Sequence, residues 1–184
     1  YIENLESGYG IGSSRYNADP VNYEITDGVR LLSISREAMT RLISWSTLYK
    51  LYEFDEPTNA GLIAQRIWTE LEAISHFQDW HPSHYLDTAE LAYPVAIAYD
   101  WLYDYWSASQ RATIEGMLYG FALKTTTALG GSYSLSSATN NWNGVCNGGI
   151  MAAALALVNV NNSITWKSNS TAVANHGEQA FTAT

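Results

Sequence analysis

The sequence predicts an all-α fold. Apolar residues recur at three- and four-residue spacing in several separate segments, helix-start signals precede two of them, and no segment alternates apolar and polar residues as a half-buried strand would. With 184 residues, 47% of them apolar, the chain can bury a sizeable core in one compact domain.

Residues 1–34 lack a sustained period and are rich in Gly, Ser, Asn and Tyr, so an irregular N-terminal arm or cleft loop is expected there. From about Arg36, the residues Met39, Leu42, Ile43, Ser46, Tyr49 and Tyr52 share a helical face. Asp55-Glu56-Pro57 breaks that helix and starts another with Pro in its first turn. Ile63, Ile67, Leu71 and Ile74 line this second helix, which runs to about Phe77. A loop follows over Asp79–Leu86. Asp87-Thr88-Ala89-Glu90 then has the form of an N-cap with its acidic partner three residues on. The helix expected from Thr88 to about Tyr105 carries few charges on any side, so it should be covered nearly all round, with Pro94 loosening one turn. Ser107-Ala108-Ser109-Gln110 is a second capping box, before an amphipathic helix with Ile114, Met117, Leu118, Phe121 and Ala122 on one face. Gly130–Asn143 reads as a polar loop, Gly148–Val158 as a short helix of small residues, and Ala172, Asn175, Gln179 and Ala180 as a weaker last helix.

Covered helices thus alternate with amphipathic ones. Such an order suits a layered helical ring or superhelix, whose inner helices are covered on both sides. Helices two apart in that order run in the same direction. The loops before Asp87 and before Gly144 should therefore emerge at one end, bringing Trp80–Tyr85 beside Asn140–Asn147.

Charge limits the partners. A net charge of −9 with no basic stripe excludes an ordinary nucleic-acid binder. It also opposes the approach of a polyanion, although screening weakens that field beyond about 8–10 Å. No apolar run reaches the roughly 18 residues of a membrane span. Cys146, the single cysteine, permits no internal disulfide and no cysteine-based structural zinc site, and it reads as a small buried filler. No metal-ligand set stands out. Asn161-Asn162-Ser163 and Asn169-Ser170-Thr171 are sequons, so Asn161 and Asn169 would accept glycans in a secreted eukaryotic protein.

Three stretches carry a family resemblance: Asp79-Trp80-His81-Pro82-Ser83-His84-Tyr85-Leu86-Asp87-Thr88-Ala89-Glu90, Ala98-Tyr99-Asp100-Trp101-Leu102-Tyr103, and Asn141-Trp142-Asn143-Gly144-Val145-Cys146-Asn147-Gly148-Gly149. In order and spacing, over roughly residues 30–160, the chain resembles the heparinase II/III-like polysaccharide lyases. The resemblance implies that residues 35–184 form part of an incomplete (α/α) toroid of paired antiparallel inner and outer helices. It further implies eliminative cleavage of an acidic, uronic-acid-containing polysaccharide without a cofactor, in a secreted protein at an extracellular or periplasmic location. The family's catalytic Tyr and β-sandwich are expected beyond Thr184, so a further chain segment or subunit would complete the toroid.

β-Elimination builds charge onto a carboxylate that is already anionic, so donors aimed at it lower the barrier. Asn141 is the candidate donor, because an amide offers two hydrogen bonds without a proton to titrate. The resemblance places Asn or His at the matching junction. Asn143 is a second catalytic candidate, and His84 is the candidate imidazole. Asn140, Asn147, His81, Tyr85, Trp80 and Trp142 are candidate substrate-binding residues, the two Trp as platforms for a sugar's C–H face. Capping and turn-building by the Asn residues, and core packing of the Trp residues, are the structural alternatives. Two other functions remain open. A glycoside hydrolase on the same toroid would need two carboxylates facing a cleft, drawn from Asp79, Asp87 and Glu90. A non-catalytic carbohydrate-binding or assembly protein would keep the fold without the chemistry.

Overall fold

A computed structural model describes residues 2–23, 31–125 and 139–158. The expected tail helix and the sequon residues Asn161 and Asn169 lie outside the described residues, as does most of the polar loop before Asn141. The described residues are helical: α1 (Ile2–Tyr9), α2 (Leu32–Tyr52), α3 (Pro57–Ser75), α4 (Tyr85–Trp101), α5 (Ala108–Met117) continuing into a π-helical turn (Leu118–Leu123), and α6 (Asn141–Leu157). None of them is long and apolar enough to cross a membrane. No strand occurs among them.

Composition explains the central position of α4. Its faces carry Leu91, Ala92, Val95, Ala96, Ala98 and Tyr99, all buried, and it packs against α2, α6 and the π-helical turn. One core cluster runs through Leu42 and Trp45 of α2, Ile63, Ile67 and Leu71 of α3, Leu91 and Val95 of α4, Ile114 and Leu118, and Ile150 and Ala153 of α6. Each such large apolar side chain contributes about 1.5–3 kcal/mol on burial.

The ends of several elements differ from expectation. Ser107 caps α5 as expected, with its hydroxyl accepting from the Gln110 N–H and the Gln110 side chain accepting from the Ser107 N–H. Asp87 is not an N-cap: α4 begins at Tyr85, one turn earlier than expected, and its cap position is His84. Glu90 is paired with Arg36 of α2 at 2.9 Å and takes no part in capping. Helix α6 starts at Asn141, well before Gly148, because the Asn140 side chain accepts from the Trp142 N–H at 3.1 Å and caps it there. Its Asn and Gly residues are weak helix formers; packing of α6 on α4 overrides that preference.

The N-terminal arm is less irregular than its composition suggests, since it opens with α1 and is then pinned to α2 and α3. Arg66 donates to the carbonyls of Tyr16 and Ala18, Arg41 to that of Asp19, and the Val21 N–H to the buried Glu70 carboxylate. These bonds carry the arm to Tyr23, which stacks on Phe77 with ring centroids 4.9 Å apart.

Helix α6 approaches α4 most closely at Gly149. A Cβ there would fall inside contact distance of the Ala89 carbonyl, with Ala89 Cα only 2.9 Å away. Gly148, also expected to permit close packing, has open space at that position. Gly149→Ala should therefore lower stability by about 1–3 kcal/mol in denaturant unfolding. Gly148→Ala should be neutral or slightly stabilising.

Candidate functional site

The loop between α3 and α4 and the start of α6 meet. The rings of His84 and Trp142 lie edge to face, 4.9 Å between centroids with an interplanar angle of 84°. His84 precedes Ala89 in α4, and Trp142 precedes Gly149 in α6. The two contacts therefore advance in the same direction along both helices, which run parallel. The neighbourhood expected from helix order is present.

The His84 imidazole is held from the other side. Asp87, in the first turn of α4, has no exposed surface, and both of its oxygens are engaged. Oδ1 lies 3.1 Å from His84 Nδ1, and Oδ2 lies 2.5 Å from His81 Nδ1. A buried carboxylate needs such partners, because removing it from water without them is costly. With one ring nitrogen tied to the carboxylate, the other is the one left for further chemistry.

Asp79 shapes the loop that presents His81. Its Oδ1 accepts from the His81 N–H at 2.8 Å and from the Tyr23 hydroxyl at 3.0 Å. His81 sits at φ 55°, the only non-Gly residue with positive φ among the described residues. That left-handed backbone costs about 1–2 kcal/mol for an ordinary side chain, and it is held by the Asp79 bond at the His81 N–H and by the His84 N–H, which donates to the His81 carbonyl at 3.0 Å. Burial, followed by the Asp79 hydrogen bond, pushes the Tyr23 phenol up to about 12.

Several candidate residues stand behind the surface. Trp80 has no exposed surface, its ring tilted against Phe121 of the π-helical turn and its carbonyl accepting from the Thr88 hydroxyl at 2.7 Å. It supports the loop and is not a stacking platform. Tyr85 is also fully buried and donates to the Ala122 carbonyl at 3.2 Å. Burial raises its phenol strongly, so it is a core residue and not a substrate contact. Asn143 and Asn147 are buried too, with the Asn147 amide donating to the Asn143 carbonyl and Oδ1 at 2.9 and 2.8 Å. Both residues of this pair lie within α6. Asn140 and Asn141 are exposed, although Asn140 is engaged as the cap, and Trp142 is half-buried.

The chain's outer candidates are thus His81, His84, Asn140, Asn141 and Trp142. Sequence reasoning missed Asp87, which its position in a capping-box pattern disguised. The local hint was the three-residue spacing of His84 and Asp87, which places them on one face of the first turn of α4; His81 joins them only through the loop turn at φ 55°. One ligand atom from each lies within 4.8 Å of the others, so these residues could hold a metal ion. Cys146 is buried as expected, and burial, with a smaller effect from the Glu90 charge, pushes its thiol up to about 12, away from nucleophile chemistry.

No family profile matches the chain, and no curated protein does.

Because Asp87 anchors two imidazoles at once, Asp87→Ala should cost about 1–3 kcal/mol in chemical denaturation. The exposed Asp100→Ala should stay within about 0.5 kcal/mol of the parent.

Proposed function

We propose that this chain is a polysaccharide-lyase-type domain of (α/α)-toroid architecture, which binds uronic-acid-containing polysaccharide and cleaves it by β-elimination. The observation that carries this reading is the contact between His84 and Trp142, which joins a held imidazole to the exposed amides of Asn140 and Asn141 in one patch.

In the reaction, a base takes the proton from the carbon beside the uronate carboxylate. The electron pair left behind forms a double bond to C4 as the C4–oxygen bond breaks, and the departing oxygen receives a proton. Asn141 supplies amide donors to the carboxylate, where charge accumulates in the transition state. His84 handles a proton, its tautomer and orientation fixed by Asp87. Trp142, half-buried beside the His84 ring, is the aromatic residue of this patch suited to a sugar's C–H face. Tyr85 has no part in proton transfer, since its hydroxyl is buried and bonded to Ala122.

The carboxylates support elimination over hydrolysis. A hydrolase needs two carboxylates across the scissile bond. Asp87 is buried between the imidazoles, Asp79 is bonded to Tyr23 and the His81 backbone, and Glu90 is paired with Arg36.

Incubating the protein with uronate polysaccharides and following ultraviolet absorbance should reveal an unsaturated product. His84→Ala should slow its formation by about 10²–10⁴-fold, and Asn141→Ala by about 10²–10³-fold in kcat. New reducing ends without unsaturation would mean hydrolysis. Saturable binding with no cleavage would mean a carbohydrate-binding protein. Either result overturns the lyase reading.

A further inference from the structure

Elimination uses one imidazole of the loop, yet the loop presents two, both turned to the same buried carboxylate. Imidazole nitrogen with carboxylate oxygen is a donor set for zinc-class cations. In a tetrahedral site with bonds of about 2.0–2.1 Å, neighbouring donor atoms lie roughly 3.3 Å apart. The His84 Nδ1 to Asp87 Oδ1 separation, 3.1 Å, is already close to that. His81 Nδ1 lies 2.5 Å from the other oxygen, Oδ2, and one ligand atom from each residue falls within 4.8 Å of the others, so drawing the three to tetrahedral spacing takes side-chain shifts of about 1–1.5 Å.

The frame around these donors is built. The left-handed backbone at His81 is fixed by Asp79, which is itself held by Tyr23. Trp142 packs against the His84 ring, and Asp87 is sealed inside the first turn of α4. Partners of this kind orient metal ligands and are needed for affinity. Backbone strain at a donor residue also points to function, because a loop with no task there could relax it with Gly or a different turn.

We propose that His81, His84 and Asp87 bind a zinc-class divalent cation. Three protein donors leave a fourth position open to water or another ligand, the composition of an accessible site and not of a closed structural one. The proposal goes beyond the elimination reading and does not depend on it. A bound cation would add positive charge beside Asp79, Asp87 and Glu90, where Arg36, paired with Glu90, is a fixed cation among the described residues.

The test uses metal alone, with no polysaccharide. Metal-free protein is titrated with Zn²⁺ by calorimetry, and with Co²⁺ while its visible absorption is recorded. One equivalent should bind, and Co²⁺ should give the intense bands of a four-coordinate ion. His81→Asn and Asp87→Asn should each weaken binding by about a hundredfold. His81→Asn retains a residue that tolerates the left-handed backbone, and circular dichroism verifies its fold. His76→Ala, at an exposed His away from the cluster, should bind as the parent does. No binding by the parent, equal binding by His81→Asn, or loss in His76→Ala would each overturn the proposal. Zn²⁺ binding without unsaturated product removes the lyase and keeps the metal site; unsaturated product from a chain that binds no Zn²⁺ does the reverse.

Discussion

The contact between α4 and α6 at Ala89 and Gly149 determines where every candidate residue falls. At that point the two backbones come closer than any side chain larger than hydrogen allows. Ala89 lies four residues past the start of α4 and Gly149 eight past the start of α6, so the first turn of α6 reaches beyond the first turn of α4 to the level of His84. Those turns carry His84 and Asp87 on one helix and Asn141 and Trp142 on the other. The remaining helices serve this arrangement: α2 covers the flank of α4, and the π-helical turn backs Trp80 and Tyr85.

On that platform sits a polar cluster with little freedom. Asp87 gives both oxygens to two imidazoles, and Asp79 gives one oxygen to the backbone beside them and to Tyr23. Such a network is costly when partly satisfied and rigid when complete. Its position explains the buried aromatics nearby. Trp80 and Tyr85 bury their rings on either side of the loop end, against Phe121 and Ala122 of the π-helical turn. The same two features that orient His84 for proton chemistry, a fixed Nδ1 and a packed ring face, also suit a metal ligand. The two uses differ in what occupies the Nδ1 side, a proton or a cation.

Periodicity made the helical class and the covered position of α4 legible in the sequence, because Leu91, Val95, Ala96 and Tyr99 leave no polar face of useful width. Helix order made the meeting of the two loops legible as well. Element ends were harder. Asn141, Asn143, Gly144 and Asn147 have the local preferences of a turn, and only their packing on α4 makes them helical. Single residues misled in both directions: Trp80 and Tyr85 looked like surface aromatics because the loop around them is polar, whereas Asp87 looked like a cap because Glu90 follows it at the right interval. Neither burial nor the tie between Asp87 and His81 has a local sequence signature. The buried Glu70 that holds the N-terminal arm was hidden in a similar way: its pairing with Arg66 has the spacing of an ordinary surface helix pair, and its other partners, Val21 and Arg41, lie far away in the chain.

The site exists only if the first turns of α4 and α6 form one patch. Nuclear Overhauser contacts between the ring protons of His84 and the indole protons of Trp142 test it most directly. With the ring centroids 4.9 Å apart, cross-peaks between the two rings should be strong in the folded protein. Their absence from a spectrum in which both rings are assigned, while contacts between Tyr23 and Phe77 are seen, would contradict the account.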